Sequence, residues 1–145
     1  MTTTRLATPA LLLAAFATSS CATIAGTVGE SFTTALVGAQ EVPGPGDPQA
    51  TGTAKVTADS ATDTICADVR TQRLAPATMA HIHKGARGVA GAPVLTIDTP
   101  TGGRSNRCYS VDKALAAAIL ADPAGYYVNV HTAQFPKGAI RGQLR

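Results

Sequence analysis

The sequence predicts an all-β fold, an antiparallel Greek-key β-sandwich or barrel with one short helix in a connection. Three observations carry this expectation. Short stretches alternate apolar and polar residues with period two. Clusters of turn formers separate them at close intervals. Strands do not alternate with helices as in a parallel sheet, and the in/out pattern is that of antiparallel strands with one solvated face.

Residues 1–20 precede the fold. A single basic residue, Arg5, is followed by an apolar run over residues 6–17 and then by small residues, the layout of a secretory signal peptide. That run is shorter than the roughly 20 residues a bilayer crossing needs. The segment ends in "TSSC" at Cys21, which resembles a bacterial lipobox. Ser19 and Ser20 fit it, and Thr18 departs from the usual aliphatic residue. Cysteine parity supports lipidation of Cys21. The chain has three cysteines, and using Cys21 for lipid leaves Cys66 and Cys108 to pair in an oxidising compartment. Residues 21–31 are small and polar and read as a tether, so the folded domain is expected over residues 32–145.

Within the domain, "FTTALV" (32–37) is strand-like and opens a Pro/Gly-rich loop that carries Glu41. "GTAKVTA" (52–58) and "TICADVR" (64–70) alternate cleanly and read as a hairpin. Cys66 falls on the polar face of the second strand, where it can reach a loop. "MAHIH" (79–83) and "VLTI" (94–97) are short strands flanking the loop "KGARGVAGAP", and residues 98–107 read as a polar loop. Residues 110–123 are helical. Ser110 can cap, Asp112 sits in the first turn, and Val111, Leu115, Ala118 and Ile119 share a face. Pro123 and Gly125 end the helix. "YYVNVHT" (126–132) and "AIRGQL" (139–144) are the closing strands.

Strand parity then sorts the polar residues. Ala80 and Ile82 make one apolar side, so His81 and His83 share the other. Val128 and Val130 leave Tyr127, Asn129 and His131 together, and Ile140 and Leu144 leave Arg141 and Gln143. All three histidines of the chain thus fall on non-core faces. Residues two apart on a strand stand about 7 Å apart, a spacing at which two imidazoles can converge on one ion. A third histidine would complete a mononuclear zinc or copper site. The competing expectation, ranked first, is a hydrogen-bonded network of His, Asn and Arg side chains, because a fixed Arg141 cation disfavours a bound dication.

Other chemistry is excluded or weakly signalled. The formal charge is +3 and Trp is absent, so no phosphate-tracking groove with stacking aromatics is built and nucleic acid is not expected. No G-x-S-x-G elbow occurs. "GARGVAG" follows a strand but opens no helix, so it is no dinucleotide loop. An enzyme is therefore not expected.

Four stretches, "ALVGAQEVPG", "ATGTAKV", "AHIHKGARGVAGAPV" and "YYVNVHTAQFPKGAIRGQL", together resemble the CHRD domain, a module named after chordin and found in exported bacterial proteins. The resemblance implies an immunoglobulin-like or superoxide-dismutase-like β-barrel. It singles out Glu41, His81, His83, Gly85, Asn129, His131, Arg141, Gly142 and Gln143. This chain departs from it at Ala139, a position often acidic. Three histidines are too few for the two-metal centre of copper–zinc superoxide dismutase. The expectation is an exported module of the periplasm or cell surface, lipid-anchored at Cys21, non-enzymatic, and binding an unidentified partner or surface. A mononuclear metal protein and a purely structural domain are the other readings.

Overall fold

The computed structural model describes Met1 and residues 29–145. The expected signal peptide, the lipidation site Cys21 and all but the last residues of the tether lie outside the described residues. Eight antiparallel strands form one sheet: β1 (Glu30–Val37), β2 (Thr51–Asp59), β3 (Thr64–Gln72), β4 (Ala77–Lys84), β5 (Pro93–Ile97), β6 (Arg104–Ser110), β7 (Tyr126–Thr132) and β8 (Ile140–Gln143). The order β5-β4-β7-β8-β1-β2-β3-β6 curls into a nearly closed barrel. Its thinnest join is β1 to β8, a single register pair of Val37 with Arg141. The two edges are tied at the other side: Asp98, just after β5, donates its backbone N–H to the Tyr109 hydroxyl of β6. Its carboxylate also pairs with Arg107 at 3.0 Å.

Alternation explains the core. Ala54, Val56 and Ala58 of β2 face Ile65, Ala67 and Val69 of β3, and Ala80, Ile82, Val128, Val130 and Ile140 come from the other half of the sheet. The expected β2–β3 hairpin is present, in register from Thr51 with Gln72 to Asp59 with Thr64. Its turn is held by the Asp59 carboxylate, which accepts the backbone N–H of Ala61 at 2.8 Å. Asp side chains favour turns for this reason.

Two elements differ from expectation. Residues 104–110 form strand β6, where a polar loop over 98–107 was expected. β6 is an edge strand that pairs only with β3, and most of its side chains are exposed, so no apolar alternation marks it. The helix α1 spans Lys113–Ala121 and begins after Asp112. Ser110, expected as the cap, is the last residue of β6. Pairing with Thr64 of β3 keeps Ser110 extended. Ala116 and Ile119 are the fully buried helix residues, and Val111, Leu115 and Ala118 pack partly against the core.

Cys66 and Cys108 form the expected disulfide, 42 residues apart in sequence. They are directly opposed across β3 and β6, so Cys66 reaches a strand and not a loop. Chain-entropy reasoning sets a ceiling of about 4 kcal/mol for a loop of this length, and native bridges fall near or below it. Replacing both cysteines by serine is expected to lower stability by about 3 kcal/mol. Equilibrium unfolding in urea reads this out, and an unchanged midpoint would contradict it.

Candidate functional site

The polar residues of β4, β7 and β8 share one face, as parity requires, but that face is covered. His83, Asn129, His131, Arg141, Gln143 and Glu41 are all buried, and only His81 is half-exposed. The sequence placed these side chains on an outer surface. The loop over residues 85–92 and the loop carrying Glu41 fold across it instead, and a second, polar core results. All seven β7 side chains are buried, Tyr126, Val128 and Val130 in the apolar core and Tyr127, Asn129 and His131 beneath the loops.

The three histidines converge. One ring nitrogen of each lies within 4.8 Å of the others. Register places them: β4 pairs with β7, with His81 opposite Asn129 and His83 opposite Tyr127. His83 Nδ1 lies 2.9 Å from the Gly91 carbonyl, and His131 Nδ1 lies 3.1 Å from the Pro136 carbonyl. A carbonyl can only accept, so both Nδ1 atoms carry the hydrogen and both Nε2 atoms present lone pairs. His131 Nε2 accepts from His81 Nδ1 at 3.1 Å. His83 Nε2 is buried with no partner. Burial lowers the pKa of all three rings, and for His83 the nearby His81 and Arg141 charges lower it further against the Gly91 hydrogen bond. The fold therefore disfavours the charged form of all three rings.

Arg141 does not join the histidines. Its guanidinium donates to the carbonyls of Val89 and Ala86, both at 3.0 Å, and to Gln143 Oε1 at 3.2 Å. It also lies 3.4 Å over the Tyr127 ring. Tyr127, on the strand between those of His83 and Arg141, stacks with His83 at 4.8 Å between centroids and 10° between planes. Gln143 Nε2 donates to the carbonyls of Gly85, Ala124 and Tyr126. Gln143 and Glu41 bond no histidine ring, and backbone carbonyls orient His83 and His131.

Glu41 bonds Asn129 Nδ2 through both oxygens, at 2.8 and 2.7 Å. Gly138 packs so tightly here, at φ 142°, that a Cβ would collide with the Glu41 carboxylate and the Asn129 amide. Burial pushes the Glu41 carboxyl up to about 7 from an ordinary 4.5, against the opposing pull of Arg141 and the Asn129 hydrogen bond. The folded state thus holds this proton more tightly than the unfolded chain does. Its contribution to stability is full below pH 4.5 and is lost as pH rises through about 7. The histidines slope the other way, losing their contribution as pH falls below 6.5 through their lowered values. Glu41→Gln is expected to remove the first slope alone. Melting temperatures across pH 4.5 to 7 test this, and a variant profile parallel to the wild type would refute it.

Sequence reasoning omitted Tyr127 and Gly91 from the site. Tyr127 shares the parity of Asn129 and His131, so the signal was present. Gly91 was hidden, because its place depends on the loop path. Its carbonyl accepts from His83 and from the Tyr127 hydroxyl, and a Cβ there would collide with the Lys84 carbonyl.

Fold and site together define a class: a small β-barrel with a histidine trio at the margin of a loop-covered polar face. Residues 32–144 match the model of the family described as CHRD domain, and the chain belongs to that family. No curated protein and no solved structure gives a match. Domains of this family are typically extracellular or secreted. Among the described residues no helix is long and apolar enough to cross a membrane.

Proposed function

We propose that this protein is an exported, non-enzymatic CHRD module that binds one zinc or copper ion through His81, His83 and His131. The observation that carries the reading is the buried, unpartnered Nε2 of His83 in a trio with one ring nitrogen of each within 4.8 Å of the others. An orphaned buried acceptor costs about 1–3 kcal/mol, and a metal ion would satisfy it. Two rings are already oriented through Nδ1–H bonds to carbonyls, the arrangement that presents Nε2 to a metal. The 3.1 Å between His81 Nδ1 and His131 Nε2 is close to the roughly 3.3 Å between two nitrogens on one tetrahedral ion. Moving the His81 proton to its Nε2 turns both facing atoms into lone pairs. The widest separation, at most 4.8 Å, closes by no more than about 1.5 Å on loading.

The Arg141 cation opposes a bound dication, as its effect on His83 shows, but its donors go to Val89, Ala86 and Gln143 and not to a ring nitrogen. A macromolecular partner would meet only the rim of this face, because Asn129, Arg141 and Gln143 are internal. Enzymatic use of Glu41 is disfavoured by its enclosure. The apolar leader and Cys21 support export and lipid anchoring of the module.

Titration of the disulfide-intact domain with Zn(II) and with Cu(II), read by calorimetry and elemental analysis, tests the proposal. One ion per chain is the expected result. Failure to take up either ion would overturn it.

A further inference from the structure

We propose that Met79 completes the histidine trio as a thioether ligand and makes the site one for copper as Cu(I). The inference rests on the metal reading above and adds the fourth donor and the identity of the ion. Met79 opens the run Met79-Ala80-His81-Ile82-His83. Ala80 and Ile82 are fully buried in the apolar core, so Met79 shares the face of His81 and His83. In the β4–β7 ladder Met79 is the register partner of His131. Directly opposed residues have Cβ atoms about 4.5–5.5 Å apart, and an unbranched thioether with three rotatable bonds spans that gap. Met79 therefore flanks His81 along the strand and His131 across it, the two rings whose nitrogens lie 3.1 Å apart.

Two further observations point the same way. The β4–β7 register shifts between Ala77 and Met79, and bulges of this kind re-aim side chains beside functional sites. Met79 is 46 % exposed, one of three large apolar side chains left exposed among the described residues, and core packing gives no reason for it. A thioether is a soft donor that selects Cu(I), whereas zinc is ordinarily held by thiolate, imidazole and carboxylate. The exposed rim position also supplies the entry path that a bound ion needs.

The test compares wild type with Met79→Leu, both disulfide-intact. Cu(I) is kept reduced by ascorbate and competed against a chromogenic chelator, and Zn(II) is titrated in parallel. Met79→Leu is expected to weaken Cu(I) binding by about 10–100-fold, less than loss of an imidazole because a thioether is the weak, long ligand of such sites, while Zn(II) affinity holds. X-ray absorption at the copper edge should show a sulfur neighbour in the wild type and none in the variant. The chain's other methionine, Met1, belongs to the expected leader and is absent from the exported domain under test. Equal Cu(I) affinity with no sulfur neighbour would overturn the role of Met79 while leaving the histidine site standing. Absence of both Cu(I) and Zn(II) binding in the wild type would overturn the histidine reading and this inference with it.

Discussion

Replacing His83 by alanine is expected to weaken Zn(II) and Cu(II) binding by more than about 100-fold, since loss of a ligand exceeds the 10–100-fold cost of losing a supporting partner. His83 is the sharpest choice because its Nε2 has no other use in the fold. Its removal costs the stacking contact with Tyr127, worth about 0.5–1.5 kcal/mol, and the Nδ1–H bond to the Gly91 carbonyl, and opens space at a buried position, but relieves an unsatisfied buried acceptor. The variant should therefore be less stable than the wild type when metal is chelated, so affinity is read on the folded variant. Saturating metal should raise the melting temperature of the wild type, because a ligand at 100 times its Kd adds about 2.7 kcal/mol. That rise should vanish in the variant. A variant that binds as tightly as the wild type removes His83 from the site.

Arg141→Ala is expected to lower stability by about 4–5 kcal/mol, through lost charge-assisted hydrogen bonds and a large cavity. Arg141 is 1 % exposed. It ties the loop over residues 85–92 to β8 through Val89 and Ala86, and those carbonyls lose their donors in the variant. The melting temperature should fall by more than about 10 °C for a domain of this size. Arg141→Met refills the volume without restoring the donors, so it should fall between the two. A loss under about 1 kcal/mol in Arg141→Ala would mean that water replaces the guanidinium without cost. Arg141→Lys should also be destabilised, because a single ammonium cannot reproduce the planar fork.

The strands with one apolar face were legible because each side chain on them has a single destination. Ala54, Val56 and Ala58 could only point inward, and their polar neighbours outward. The edge strand β6 was not legible, since residues such as Arg104, Asn106 and Arg107 bury nothing and look like a loop. The site was legible to the level of parity. His81, His83, Asn129, His131 and Arg141 do share one side of the sheet. Glu41 and Asn129, 88 positions apart in the chain, are brought together by the fold, and no local pattern encodes that.

Period two along the strands other than β6, with the Cys66 and Cys108 pair, determined from the sequence alone which residues face the apolar core and which do not. The fate of the other face was a tertiary matter. Parity states only that a side chain leaves the core, not what lies above it. Here the loops over residues 38–50 and 85–92 close over the sheet. They turn a nominally outer row into a buried one, depress the histidines, raise Glu41 and supply the Gly91 carbonyl. That outcome depends on backbone paths at Gly91 and Gly138, where only the folded neighbours reveal that a Cβ has no room.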